Sequence, residues 1–438
     1  MRRLVLLVVG AGMVAALFAG PASADSPPPL SFELSSGSSF VKCAATSPAT
    51  VTKSGQSCTI TQPSGGTAWC IEYKSSTSPI TQTCTIKQTS TTRANFAYVV
   101  QIAEQRWGSS PQKTTQTATV EQGNTVRTNN SWVTQIARQG LGHVLDDDGD
   151  DWGYPTYSDN VHQVQDASQL ADVCQGGVAD CHLGAGMLSH NNSSVLQKQW
   201  QTEQAAARVS ITQEQNTKQN SYFPLSCVAV ADPANMCADV DQNSDPTASG
   251  KNDEDLNQLY VQLQNARGKG AAVTDQRQGG ANIFSGGLAH AITQLGGGVA
   301  NITTGQNSFQ YQKANNVGSL FQKQDPRISK DLFSTQEGAE GSLWTGNQRA
   351  FQFQLEDGVF TPSFGGQRAR LTYDADSIGG SISADLLVKQ NDEPAETESC
   401  GPAPSCHILL DCTNVEPDLY VLSSEYTSTQ ECFREDID

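Results

Sequence analysis

Much of what usually announces catalysis is missing from this chain. Its 438 residues hold only 6 His, and no Gly-x-Ser-x-Gly elbow, His-Glu-x-x-His pair, phosphate loop or dinucleotide fingerprint occurs. An enzyme is therefore not expected. Basic side chains are scarce as well. With Lys+Arg 27 against Asp+Glu 45, a net charge of −18 and a pI near 4.7, the chain lacks the positive surface that phosphate backbones require, which excludes nucleic acid as a partner. Charged residues of both signs make up only 16% and hydrophobic ones 37%, too little oil for one round core of this length. After residue 24 no apolar run is long enough to cross a bilayer. No Cys-x-x-Cys pair is present, which removes the commonest zinc pattern.

Residues 1–24 read as a secretory signal: Arg2 and Arg3, then an apolar stretch, then the small-residue cleavage site Ala22-Ser23-Ala24. The expected location is outside the cell or on its surface. The 12 cysteines that follow are most simply six disulfides in an oxidising compartment. They fall into local groups: Cys43, Cys58, Cys70 and Cys84; Cys174 and Cys181; Cys227 and Cys237; Cys400, Cys406, Cys412 and Cys432.

Polarity comes from amides instead of charge, with about forty glutamines, a bias informative in itself. Many alternate with apolar residues, as in Tyr260-Val-Gln262-Leu-Gln264, Phe309-Gln310-Tyr311-Gln312, Phe321-Gln322-Lys323-Gln324 and Phe351-Gln352-Phe353-Gln354. Period two is a strand signal, and it puts every Gln of a run on one face. Buried unpaired, such an amide costs about 1–3 kcal/mol. Strands stacked in register about 4.8 Å apart turn the liability into a ladder, each amide bonding the next.

The chain also repeats. Thr83–Gln105 and Thr117–Gln139 superimpose at an offset of 34 residues: a β-type run ending in Gln, a polar turn, an Asn, and a second run ending in Gln-Ile-Ala-x-Gln. A looser unit, [Ile/Val]-x-Gln followed by Asn, pairs Gln88 with Asn95, Gln122 with Asn129, Gln213 with Asn220 and Gln294 with Asn301. The second half, Asn-x-small-x-x-x-Gln, ends at Gln101, Gln135, Gln197 and Gln322. The expected architecture is all-β: an elongated β-solenoid-like stack of strand–turn–strand repeats with Gln/Asn ladders through Gln88, Asn95, Gln101, Gln122, Asn129, Gln135, Gln213, Asn220, Gln294, Asn301, Gln310, Gln322 and Gln352. Disulfides would staple its ends and insertions.

Asn95-x-Ala97-x-x-x-Gln101 and Asn129-x-Ser131-x-x-x-Gln135 resemble the second half of the curlin repeat, Gln-x-Gly-x-x-Asn-x-Ala-x-x-x-Gln. The first half is spaced differently, with seven residues from Gln to Asn in place of five. The resemblance covers about a third of the chain. It implies a stacked β-solenoid outside the cell that assembles with its own copies.

The expected organisation runs as follows: 1–24 signal; 25–79 Cys/Ser/Thr-rich cap; 80–140 first repeat block; 141–188 acidic insertion; 189–222 repeats; 223–255 disulfide loop insertion; 256–389 second repeat block and closing strands; 390–438 acidic Cys-rich tail. In the acidic insertion Asp146, Asp148 and Asp150 alternate around Gly149, a spacing that suits either calcium or a solvated acidic loop. No other cofactor is expected. Two functions compete: a structural matrix or surface protein whose partner is itself, and an adhesin meeting extracellular glycans through Trp107, Trp132, Trp152, Trp200 and Trp344. A secreted hydrolase ranks third, because a carboxylate pair has no sequence signature of its own. His143 and His290 would be its histidines to test.

Overall fold

The computed structural model describes residues 39–46, 48–90, 92–105, 110–123, 128–141, 157–175, 177–178, 182–183, 190–224, 250–270, 272–279, 287–293, 298–325, 327–332, 343–357, 363–376, 380–391, 393–416 and 429–436. Nearly all of them lie in strands, and no helix occurs among them. The fold is an all-β solenoid of stacked strand–turn–strand layers.

Two arms run side by side up the stack. In the first arm Ser57–Gln62 lies parallel to Ile80–Gln88, then to Gln112–Gln122, then to Ser158–Gln175. In the second, Gly66–Ser76 lies parallel to Asn95–Gln105, then to Asn129–Leu141, then to the long strand His190–Pro224. That strand passes from the second arm into the first at a bulge between Ala207 and Ser210, so its later half stacks on Ser158–Gln175. The second arm continues through Gly250–Gly268, Gly298–Asn315, Leu343–Asp357 and Ser381–Gln390. The first continues through the split pairs Val273–Gln278 with Gly287–Thr293 and Ser319–Gln324 with Arg327–Leu332, and then through Ser363–Asp376.

Antiparallel strands close both ends. Ser39–Ala45 pairs with Gly66–Ser76, and Thr50–Ser54 with Ser57–Gln62. At the far end Glu396–Ala403 pairs with Ser381–Gln390, Ser405–Glu416 with Ser363–Asp376, and Thr429–Asp436 with Ser405–Glu416. Disulfides sit in these caps: Cys43–Cys58, Cys400–Cys406 and Cys412–Cys432. Cross-links of this kind fit an oxidising compartment.

Strict alternation decides what is inside. Along Ile80–Gln88 every second residue is buried: Ile80, Gln82, Cys84, Ile86 and Gln88. Stacking turns each such position into a column, and the columns alternate between hydrocarbon and amide. Ile60, Ile86, Val120 and Val173 form one apolar column of the first arm, and Val99, Val133, Val195 and Leu256 one of the second. This arrangement accounts for the low hydrophobic fraction, because half of the interior is not hydrocarbon. A smaller apolar cluster lies on the outer side of the second arm, where Ile71, Tyr73, Val100 and Ile102 pack with Phe40, Trp69 and Ile136.

Several expectations need correcting. Ser158–Gln175, placed by sequence within the acidic insertion, is a full layer of the first arm. The parallel stack already begins at Ser57, inside the stretch read as a cap. Cys70 and Cys84 are buried free thiols, so the described cysteines do not all pair. Trp344, read as an exposed aromatic, is fully buried in the apolar core, since it shares the inward parity of Gln348 and Gln352. Trp132 and Trp200 do face outward: Trp132 stacks on Tyr98 with ring centroids 4.6 Å apart, and Trp200 lies under the Arg138 guanidinium at 5.4 Å. Trp107 and Trp152 lie outside the described residues.

Candidate functional site

The chemistry of this molecule is concentrated in its buried carboxamides. In the second arm Gln105, Gln139, Gln201, Gln262, Gln310, Gln352 and Gln390 stand directly above one another. Each Nε2 donates to the Oε1 of the residue one layer earlier, at 3.4, 2.9, 2.8, 2.7, 3.1 and 2.8 Å in order. A parallel column starts on an acid: Glu72 accepts from Gln101 at 2.8 Å, and Gln135, Gln197, Gln258, Gln306 and Gln348 follow. A third column starts on Glu203, which accepts from Gln264 at 3.0 Å, with Gln312 and Gln354 above.

The first arm has its own columns. Gln112, Gln165, Gln215, Gln278, Gln324 and Gln367 form the longest, with contacts of 2.9, 2.9, 3.0, 2.9 and 2.9 Å. Shorter ones are Gln62–Gln88–Gln122–Gln175, Gln82–Gln116–Gln169–Gln219 and Gln163–Gln213–Gln276–Gln322.

A carboxamide has two N–H groups, and the second is used across the core. Gln82, Gln116, Gln169 and Gln219 donate to the backbone carbonyls of Ile102, Ile136, Lys198 and Leu259 at 3.0, 3.0, 3.1 and 3.1 Å. The ladders therefore do two things at once: they fix register along the stack and tie one arm to the other. Each satisfied bond contributes roughly 1 kcal/mol net. Slipping one residue would expose every amide and bury the outer face instead.

Every Gln-to-Gln bond points the same way, donor in the later layer and acceptor in the earlier one. The ends are consequently unlike. At the N-terminal end the donors need acceptors, and Gln62 finds them in the carbonyl and hydroxyl of Thr46 at 2.7 and 2.8 Å. Glu72 and Glu203 end their columns instead: each accepts the amide of the layer above on Oε2 and has no amide of its own to place below. Burial raises the Glu72 carboxyl to about 7 and pushes Glu203 well above the usual carboxylate range, with the donated amide opposing the shift in both. At the C-terminal end the acceptors lack donors. Asn414, on a capping strand, reaches Gln367 Oε1 at 3.5 Å, whereas the Oε1 atoms of Gln219, Gln322, Gln348 and Gln390 have no donor among the described residues.

The residues singled out from sequence are distributed as follows. Gln88, Gln101, Gln122, Gln135, Gln213, Gln310, Gln322 and Gln352 stand in the columns above. Asn95 donates to Asn129 at 3.0 Å in a short Asn column. Asn220 lies in the middle of a first-arm strand and points outward, its backbone carbonyl accepting from Gln197 at 2.9 Å. Asn301 bonds Asp253 at 2.9 Å, one place out of the Asn register. Gln294 and the acidic triplet Asp146, Asp148 and Asp150 lie outside the described residues, as does His143. Sequence reasoning passed over Glu72 and Glu203. It also passed over the outer face of the first arm, where Thr81-x-Thr83-x-Thr85 recurs as Thr115-x-Thr117-x-Thr119.

Two other places bring reactive groups together. The sulfurs of Cys43, Cys58 and Cys70 lie within 4.8 Å of one another, but Cys43 and Cys58 are bonded together and offer no thiolate. An open groove of about 470 Å3 lies beside Glu203, Phe309, Tyr311 and Lys313, and among the described residues Glu203 is its single carboxyl group. No family model, curated protein or solved structure matches this chain.

Proposed function

We propose that this is an exported structural protein of the cell surface or extracellular matrix, a prebuilt amyloid-like rod whose partner is another copy of itself. The observation that carries this reading is the unbroken amide column from Gln105 to Gln390, a device that fixes register and rigidifies a stack. The resemblance to curlin repeats points the same way.

Each end presents strands whose far edge pairs no other strand among the described residues, and a free edge is a template for strand addition. The two ends also differ in charge. The N-terminal end strands, SFVKCAA and TVTKS, carry Lys42 and Lys53 and no acid. The C-terminal ones, ETESCGPA and TQECFRED, carry acids at Glu396, Glu398 and Glu431 against Arg434 among the described side chains. Head-to-tail association sets lysines against acids, while head-to-head contact repels. Purified mature chain incubated at low salt is expected to form filaments one rod wide that bind Congo red, and Lys42→Glu with Lys53→Glu should stop their growth. A sample that stays monomeric at high concentration sinks the reading.

The competing reading is a glycan-binding adhesin. It is favoured by the outward aromatic column of Trp69, Tyr98 and Trp132, adjacent by register on the second arm. Saturable binding on a glycan array, lost in Trp132→Ala, would replace the structural reading.

A further inference from the structure

We propose that the outer face of the first arm, at its N-terminal end, binds the surface of ice. The strands Thr50–Ser54, Ser57–Gln62, Ile80–Gln88 and Gln112–Gln122 are neighbours there in direct register. Thr52, Thr59, Thr85 and Thr119 therefore stand in one outward column. Ser54, Ser57, Thr83 and Thr117 stand in the column beside it. Thr61 opposite Thr50, and Thr81 beside Thr115, extend the array on either side. Position by position the surface repeats every 4.8 Å or so across the strands and about 6.7 Å along them, twice the strand rise.

Each threonine offers a hydroxyl and a methyl group, and its branched Cβ restricts the side-chain torsion, so the array is ordered before any ligand arrives. None of these hydroxyls bonds another protein group among the described residues. Beneath them the inward residues are locked by the amide columns and the Cys43–Cys58 bridge. Threonine is not the default for an outward position in these layers. On the opposite arm the same layers carry Trp69, Ile71, Tyr98, Val100 and Trp132.

Charge narrows the partner further. On a chain of net charge −18 this face holds little charge: the Lys87–Glu121 ion pair, 2.8 Å, lies on one rim and Lys113 on the other, while Lys53, between Thr52 and Ser54, takes the opposite face of its strand in register with Cys58. The next strand ends the pattern, with Leu170 and Asp172 falling where Thr117 and Thr119 stand one layer earlier. The matching surface must be uncharged, rich in hydrogen-bonding oxygen, and periodic in two directions at these intervals. The prism faces of hexagonal ice present oxygen rows at intervals close to these. A glycan chain repeats along one direction only. Single threonine–water contacts exchange freely, and only a lattice that meets the whole array at once is retained.

The test grows a single ice crystal in a solution of the purified, disulfide-intact chain. Faceted growth and a gap between melting and growth temperatures are expected. Thr59→Lys and Thr85→Lys should each abolish the gap while the β-sheet spectrum and thermal unfolding stay unchanged. Thr59 is exposed, so a lysine there reaches solvent without touching the core, and a folding failure at Thr85 would not blunt the test. Asn257→Lys, on an exposed outward position of the second arm, should leave the gap intact. The proposal is overturned if the unmodified chain shows no gap, if the gap survives a folded Thr59→Lys, or if Asn257→Lys removes it equally. Filament assembly plays no part in this readout, so its failure leaves the ice result standing.

Discussion

Gln390 donates its amide to Gln352 Oε1 over 2.8 Å, yet nothing among the described residues donates to the Oε1 of Gln390 itself. The column stops there because the next antiparallel strand brings no amide to that position. An orphaned buried carbonyl costs about 1–3 kcal/mol, so the last member of a column is worth less than an interior one. Gln262 shows the contrast. It accepts from Gln310 at 2.7 Å, donates one N–H to Gln201 and shares the other between the Gln215 carbonyl and the Thr217 hydroxyl. Gln262→Leu is expected to destabilise the protein by at least about 2 kcal/mol more than Gln390→Leu, because the latter also removes an orphan. Urea denaturation of the two variants checks the difference.

Stability should fall as pH rises through neutrality. The folded state holds Glu72 protonated up to about 7, above its ordinary 4.5. The stabilisation is therefore complete below 4.5 and is lost as pH climbs through about 7, amounting to roughly 3 kcal/mol over that window. Glu203 contributes a slope of the same sign. Unfolding measured at about pH 5 and about pH 8 should show this fall in the parent chain, a shallower one in Glu72→Gln, and one shallower still when Glu203→Gln is added.

Gly346 faces inward across from Tyr373, and a Cβ at that position would stand 2.0 Å from the ring. The absent side chain is what lets a fully buried tyrosine cross the core. Gly346→Ala is expected to cost about 1–3 kcal/mol through overpacking. A matching drop in thermal midpoint, with unchanged β-sheet content, would be the signature. An unchanged midpoint would show that the ring can step aside.

Cys70 and Cys84 are thiols whose pKa is raised chiefly by burial, so they are both inaccessible and poorly nucleophilic. Alkylation of the native protein should leave them unlabelled, and alkylation in denaturant without reductant should label both. Peptide mass spectrometry reads this directly. Finding the two joined to each other would contradict the arrangement.

How far could the sequence carry this? Period two in Phe309-Gln310-Tyr311-Gln312 puts glutamine and aromatic on opposite faces, and the 34-residue offset makes columns available, so the stack and most of its amides were legible. Register was not, once the units stopped being identical. Asn220 matches the repeat pattern but lies within a continuous strand, since His190–Pro224 turns from one arm to the other at a bulge and carries no polar turn. Glu72 and Glu203 were invisible because their role is defined by the layer above them, which local spacing does not encode. The threonine array was written plainly at Thr81–Thr85 and Thr115–Thr119. It went unread because alternating threonine is ordinary strand composition until register shows it to be two-dimensional.

The caps have a further consequence. Where an open stack grows without limit, here the number of layers is fixed by the gene. The amide contacts Gln82–Gln116, Gln88–Gln122, Gln101–Gln135 and Gln105–Gln139 all span 34 residues. A tandem duplication of that length, cut anywhere within the unit, inserts one more storey of about 4.8 Å and disturbs neither end. Length is thus a heritable quantity that unequal crossing-over can change in whole steps.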